Sequence, residues 1–443
     1  MPYKVGMVSL GCAKNQVDGE VLMASLANSG FECVDDAAMA DIAIVNTCGF
    51  IDSAKQESID EILELCTLKN EGKIKKIVVT GCLAERYQTE VMKDIPEVDA
   101  VLGIGANADI AAKLNEMMSG ETIECFPDKY AMPLCGDRLL TTPSYFAYLK
   151  IAEGCDNRCT YCAIPMIRGK QRSRTIENIM EEAGLLVKNG ARELIVIAQD
   201  TSRYGIDIYG EYSLAKLLKQ LCTIDKLRWI RVLYCYPDAI TDELIDTFAS
   251  EEKIVKYIDL PLQHASGRIL KMMNRRGDRQ SLTALVNKLR ERIPGLILRT
   301  TFIAGFPGET EEDFAELHEF IKEMRFDRMG CFAYSQEEGT PAAKLPNQID
   351  DDVKQQRAEI IMETQMDIMD ELNTKYVGET LEVMTEGFDR YAECWFGRTA
   401  MDAPDVDGKV FFTIGEKKPY YGQFVKVMIN EAIDSDLFGE LVE

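Results

Sequence analysis

Gly154-Cys155-Asp156-Asn157-Arg158-Cys159-Thr160-Tyr161-Cys162 follows the apolar run 145–152 and places three thiols at spacings of four and three residues. Three thiolates from one short loop can hold three irons of a 4Fe-4S cube and leave the fourth iron open to a small molecule. Packing cysteines explain neither the clustering nor the polar filler Asp156, Asn157 and Arg158. A zinc ribbon would need a second C-x2-C pair, which the sequence lacks.

Downstream, apolar strand candidates at 145–152, 193–199, 229–236, 254–263, 296–305 and 328–335 alternate with helix candidates near 175–189, 212–222, 240–250, 266–274, 278–292 and 310–324. Six such βα units predict an open, partial (β/α)6 barrel with its site at the carboxyl ends of the strands. Polar or glycine-rich residues fall at those ends: Gln199-Asp200-Thr201, Pro261-Leu262-Gln263-His264, Ile303-Ala304-Gly305-Phe306-Pro307-Gly308-Glu309 and Tyr334-Ser335. Asp200 or Glu309 alone reads equally well as turn or cap chemistry; their shared location is what marks a site. Of the two histidines, His264 sits at a strand end and His318 is expected at the surface. A histidine-based hydrolytic site is not expected.

Upstream, three strands end alike. The run 5–10 leads into Gly11-Cys12, 42–47 into Cys48-Gly49, and 77–80 into Gly81-Cys82. Each cysteine then lies at the carboxyl edge of an open parallel α/β sheet and ahead of a helix, where anionic groups such as thiolates are favoured. Any one of them could simply close a strand, but three in equivalent positions predict a second three-thiolate site. Cys33 and Cys66 have no partner at ligand spacing and are expected to pack. From about 111 to 141 the periodic pattern is lost, so a linker carrying Cys125 and Cys135 is expected there. Residues 351–375 read as a charged helix with Met362, Met366 and Met369 as its packed stripe. After 376, strand candidates at 379–385, 391–398, 408–414 and 423–430 predict a small all-β barrel.

The chain of 443 residues carries 50 basic and 74 acidic side chains, a formal charge of −24, which disfavours general binding to nucleic-acid phosphate and suits a basic partner. No leader pattern opens it and no apolar run approaches about 18 residues. The expectation is a cytoplasmic chain with no membrane association, whose 14 cysteines serve thiol and metal chemistry.

The C-x3-C-x2-C spacing resembles that of the radical S-adenosylmethionine (SAM) enzymes. With Cys12, Cys48 and Cys82 ahead of it and a small barrel behind, the whole chain resembles their methylthiotransferase family. Ser9-Leu10-Gly11-Cys12-Ala13-Lys14-Asn15-Gln16-Val17-Asp18 is similar to the RimO branch, which modifies a ribosomal protein. Further matches are Asn46-Thr47-Cys48-Gly49-Phe50, Ile164-Pro165, Arg168-Gly169, Arg172-Ser173-Arg174, Arg299-Thr300-Thr301-Phe302-Ile303 and Phe332-Ala333-Tyr334-Ser335. Ala13, where that branch commonly has proline, is a departure beside a ligand rather than at one.

The resemblance implies an α/β architecture of three parts: an N-terminal methylthiotransferase domain (1–125), a linker (126–140), a radical SAM domain (141–374) and a TRAM barrel (375–443). It implies two 4Fe-4S clusters, on Cys155, Cys159 and Cys162 and on Cys12, Cys48 and Cys82, with SAM as cofactor and an external electron donor. The first site would generate a 5′-deoxyadenosyl radical and the second would present sulfur. Tyr161, Gln199, Arg299 and Phe306 are the expected SAM contacts, with Arg172 and Arg174 serving either the site or a surface. The implied reaction is methylthiolation of an aspartate β-carbon in small-subunit ribosomal protein twelve. A tRNA adenosine methylthiotransferase is the alternative within the family; a non-catalytic iron-sulfur or zinc protein is the alternative outside it. Residues 376–443 hold six Lys or Arg against fourteen Asp or Glu, so direct nucleic-acid binding by this barrel is not expected.

Overall fold

The computed structural model describes residues 2–442. The chain forms two compact units: Met1–Thr142 with Ala152–Arg174 and Ser335–Ala343, and Pro143–Ile151 with Thr175–Tyr334 and Lys344–Glu443. The three-cysteine segment thus belongs to the same compact unit as the N-terminal sheet, a grouping that the sequence motifs do not reveal.

In the first unit β1 (Lys4–Ser9), β2 (Glu32–Val34), β3 (Ile42–Thr47), β4 (Lys76–Gly81), β5 (Ala100–Leu102) and β6 (Ile123–Cys125) form one sheet in the order β2-β1-β3-β4-β5-β6. Every pairing in it is parallel. Successive side chains of a strand point to opposite faces. Ile42, Ile44 and Val78 accordingly pack with Leu22, Leu26 and Leu114 on one side, while Ala43, Val45, Ile77 and Val79 pack with Ile62 and Leu65 on the other. Burial on both faces is why β1, β3 and β4 read as continuous apolar runs.

The stretch expected to be irregular from 111 contains the end of helix Ile110–Met118 and all of β6; irregular chain begins after Cys125. Cys33 and Cys125 pack against the first core and Cys66 lies in the second.

After β7 (Phe146–Lys150), which belongs to the second unit, a two-stranded antiparallel ribbon of β8 (Ala152–Glu153) and β9 (Arg172–Ser173) brackets the cysteine segment in the first unit. The second unit is built on β7, β10 (Glu193–Ile197), β11 (Trp229–Val232), β12 (Ile254–Asp259), β13 (Ile297–Ala304) and β14 (Arg328–Ala333). Their order, β14-β13-β12-β11-β10-β7, is that of an open parallel sheet, as the six βα repeats predict. Thr175, Thr241, Asp278 and Thr310 cap the helices Ile176–Lys188, Asp242–Ser250, Arg279–Arg292 and Glu311–Met324.

Two expectations fail in this unit. In helix Asp351–Asn373 the buried positions are Lys354, Arg357, Ala358, Ile361, Gln365, Ile368 and Asn373, while Met366 is 50% exposed. Ala358, Ile361 and Ile368 supply the apolar part of the packed face, and Met366 lies off it. His318 is half-buried rather than superficial, stacked on Phe314 with ring centroids 6.2 Å apart and hydrogen-bonded through Nε2 to Thr364 Oγ1 at 2.8 Å.

The C-terminal barrel closes from β15 (Thr380–Asp389), β16 (Cys394–Arg398), β17 (Val410–Thr413), β18 (Phe424–Ile433) and β19 (Asp436–Val442). It meets the parallel sheet at the amino-terminal ends of the strands. Arg398 Nη2 donates to Glu193 Oε2 at 2.8 Å, Arg328 Nη2 to Asp402 Oδ1 at 2.7 Å, and Tyr257 Oη to Asp407 Oδ2 at 2.6 Å. Trp229 and Phe424 meet edge to face at 4.7 Å. The carboxyl ends of these strands are thus left clear of the barrel.

Candidate metal centres

In the first unit the three strand-end cysteines lie together. Cys12 immediately precedes helix Ala13–Asn28, Cys48 follows β3, and Cys82 opens helix Cys82–Tyr87 directly after β4. A web of polar side chains fixes these ends. Asn15 Nδ2 donates to the carbonyls of Leu10, Asn46 and Thr47 at 2.9–3.3 Å, and Asn46 Nδ2 donates to Asn15 O at 2.8 Å. Thr47 Oγ1 donates to Thr80 O at 2.5 Å and accepts from Leu83 N at 3.2 Å. Ser58 Oγ accepts from the Cys48 amide at 3.0 Å.

The backbone approaches so closely that two glycines are required. A Cβ on Gly11, whose φ is +84°, would stand 2.9 Å from Cys48 Sγ, and one on Gly81, at φ +93°, would stand 2.5 Å from Thr47 O.

Charge around the trio is equally organised. Burial pushes the Cys82 thiol up to about 12 and raises that of Cys48, with the neighbouring thiols adding to the rise. The Arg168 guanidinium opposes this, since its Nη2 lies 3.2 Å from Cys82 Sγ. Thiols held protonated by burial and facing a fixed cation suit a metal group that displaces their protons. Three converging sulfurs, a cradle that a Cβ would fill and an opposing cation together fit a cluster bound by three cysteines.

The second set, Cys155, Cys159 and Cys162, occupies one half-exposed turn. Cys155 N donates to Gly169 O and Cys162 N to Cys159 O, both at 3.1 Å, and Arg158 adopts a left-handed φ of +53° that tightens the turn. Three partly accessible thiols in one turn fit a cluster with an open iron. Among the described residues no three such side chains close on a point at single-ion distances.

Tyr161 is half-buried in this turn. In the second unit Gln199 is half-buried two residues beyond β10, and Phe306 is buried two residues beyond β13, edge to face with Tyr334 at 5.3 Å. Asp200 and Glu309 organise the strand ends. Asp200 Oδ1 accepts from Ser202 Oγ at 2.6 Å, and Glu309 accepts from the Gly305 amide at 3.0 Å, from Arg357 at 2.8 Å and from His264 Nε2 at 3.2 Å.

Arg299, expected among the SAM contacts, lies within β13. As the third residue of β13 it lies five residues, about 16 Å, from the strand's carboxyl end. There it pairs with Asp259 at 3.2 Å and Asp407 at 3.5 Å. Its strand was legible, but its height along the strand was not.

Sequence reasoning also missed the side chains that brace the trio. Glu337, in the segment Ser335–Ala343, binds Lys55 Nζ at 3.0 Å and Arg86 Nη1 at 2.7 Å, and Arg86 Nη1 also donates to Gly49 O at 2.9 Å. This clamp grips the turn after Cys48 and the helix that Cys82 opens. Arg168 was visible only as half of an Arg-Gly match; nothing in its spacing points to Cys82.

Three family models match in series: the uncharacterized protein family UPF0004 over residues 4–103, the radical SAM superfamily over 149–321, and the TRAM domain over 377–442. A ribosomal protein uS12 methylthiotransferase RimO of Desulforamulus reducens is 51% identical, the match covering 99% of each chain. Proteins of the same description from Clostridioides difficile and a Thermoanaerobacter species are 48% and 47% identical, over 99% and 98% of this chain and 99% of each relative. Among solved structures, the radical SAM methyltransferase TsrM from Kitasatospora setae, with cobalamin and a 4Fe-4S cluster bound, superposes with a TM-score of 0.60 at 15% identity, covering 77% of each chain. The cobalamin-dependent SAM radical enzyme OxsB gives 0.52 at 14% identity over 82% of this chain and 56% of its own. At such identities these two show the shared fold alone.

Proposed function

The chain belongs to the RimO family of radical SAM methylthiotransferases, and from that premise we propose that it adds a methylthio group to the β-carbon of an aspartate in ribosomal protein uS12. The observation that carries the substrate is full-length identity near one half to proteins described as uS12 methylthiotransferases. An acidic C-terminal barrel, with fourteen Asp or Glu against six Lys or Arg, supports a basic protein target over an RNA.

The family's SAM and 4Fe-4S cluster would be held at Cys155, Cys159 and Cys162, and a second cluster at Cys12, Cys48 and Cys82. When bound, these groups supply the radical that removes hydrogen from an unactivated carbon and the sulfur that replaces it. The protein's part is placement. Tyr161, Gln199 and Phe306 contact SAM, and an external donor supplies electrons. Asn15, Asn46 and Thr47 hold the trio's strand ends in register, and Glu337 with Arg86 fixes the Cys48 turn. The buried ion pairs keep the C-terminal barrel at the amino ends of the parallel strands and leave the carboxyl ends clear of it.

Reconstituted enzyme incubated with SAM and reductant, separately on ribosomes and on tRNA, tests the substrate. The expected outcome is a mass gain of one methylthio group on an aspartate-containing peptide of uS12 and no change in tRNA nucleosides. A gain on tRNA alone would contradict the proposal.

A further inference from the structure

The side chain that reaches a sulfur of the N-terminal trio comes from the segment carrying the other three cysteines. Arg168 follows the short helix Ile164–Ile167 and is 2% exposed. Nη2 donates to Asn15 Oδ1 at 3.0 Å and to Cys82 Sγ at 3.2 Å; Nη1 donates to Glu153 Oε2 at 3.3 Å and to the Asp18 carboxylate. Met132 Sδ lies 3.6 Å from Nη1. These partners sit on three pieces of the unit: Asn15 and Asp18 on helix Ala13–Asn28, Cys82 at the start of helix Cys82–Tyr87, and Glu153 on β8, one residue before Gly154. One buried guanidinium therefore joins the start of the cysteine turn, the helix after Cys12 and a thiol at the second site.

We propose that Arg168 is a positioning residue for the group held by Cys12, Cys48 and Cys82, donating to the Cys82 sulfur and raising that group's reduction potential. The inference rests on the reading of the trio as a cluster site. Reduction adds a negative charge to the cluster and its sulfurs. A cation and hydrogen-bond donor fixed against one sulfur, in a water-poor setting, stabilises the reduced form more than the oxidised one. Arginine suits the task better than lysine, because its planar fork serves sulfur, amide and two carboxylates at once, whereas an ammonium is a single compact point of charge. The cysteine segment of the first site would in this way set the electron affinity of the second.

The test uses the full chain with Cys155, Cys159 and Cys162 replaced by alanine, reconstituted anaerobically with iron and sulfide, so that only the N-terminal trio can bind a cluster. Its midpoint potential is followed by electron paramagnetic resonance during redox titration. Arg168→Gln is expected to shift the potential negative, and Arg168→Lys to shift it less. Because Arg168→Gln strands two buried carboxylates, Asp18 and Glu153, the double variant Arg168→Gln with Asp18→Asn removes one of these charges and lessens the cost to the fold. It is expected to remain shifted negative, since the donor to Cys82 is still missing. An unchanged potential and line shape in the double variant at full iron content would overturn the proposal and leave Arg168 a structural ion pair. Failure of the triple-alanine parent to take up any cluster would overturn the reading of the trio itself, and the proposal with it.

Discussion

Cys82→Ala is expected to abolish methylthio transfer while 5′-deoxyadenosine formation from SAM continues; Cys155→Ala is expected to abolish both. The two proposed sites use separate thiols, so removing a ligand from one leaves the other's donor set complete. Alanine is also tolerable at Cys82 on packing grounds: its neighbours are Ala163 and Ile167, and the Asp18, Glu153 and Asn15 contacts of Arg168 do not depend on the thiol. Changes to the groups around a metal's ligands typically cost about 10–100-fold, and loss of a ligand should exceed that, taking transfer below detection. Product analysis of one reaction by mass spectrometry reads both outcomes. Loss of 5′-deoxyadenosine in the Cys82 variant, with its fold intact by circular dichroism, would show that the division of labour is wrong.

Glu193→Ala is expected to destabilise the second unit by about 3–5 kcal/mol, the usual cost of stranding buried charge. Glu193 is 0% exposed and receives Arg231 Nε and Arg398 Nη2, each at 2.8 Å. Arg231 comes from β11 and Arg398 from the C-terminal barrel, so one carboxylate joins sheet to barrel. Without it two guanidinium groups lose their shared counter-charge, although Arg398 keeps Glu386 at 2.8 Å. A fall in Tm on the order of 10 °C should follow.

The pH dependence has a defined sign. Burial alone would raise the Glu193 pKa, but Arg398 and Arg231 outweigh it and hold the carboxyl below its ordinary range. A depressed folded pKa gives stability that is present above the unfolded value of about 4.3 and is lost as pH falls through it toward the folded value. The Tm gap between wild type and Glu193→Gln should therefore be flat from neutral pH down to about 5 and narrow below about 4.3. A gap that widens on acidification would contradict the assignment.

How much could be read in advance follows from what each feature depends on. Cysteines 12, 48 and 82 were legible because a buried parallel strand is a continuous apolar run, and the residue that ends it is fixed at the sheet's carboxyl edge. The three-residue strands β2, β5 and β6 were not, since three residues are too few to show a period; they take shape only by pairing in register with longer neighbours. β19 was missed because it follows β18 after only Asp434-Ser435, both at positive φ without a glycine to mark the turn. Arg299 shows a further limit. Its strand was correctly read, yet which end of the strand faces a ligand depends on where the barrel docks, and Asp407 answers that from more than 100 residues away. Arg168 marks the same boundary, because a side chain serving Cys82, Asn15, Asp18 and Glu153 together leaves no local pattern.

Two three-thiol sites in one chain are the centre of this account, and iron content tests them most directly. Anaerobically reconstituted wild type should hold about eight irons per chain, and each triple-alanine variant, lacking either Cys12, Cys48 and Cys82 or Cys155, Cys159 and Cys162, about four. Wild type with about four irons, all of them lost with Cys155, Cys159 and Cys162 and none with the N-terminal trio, would contradict it.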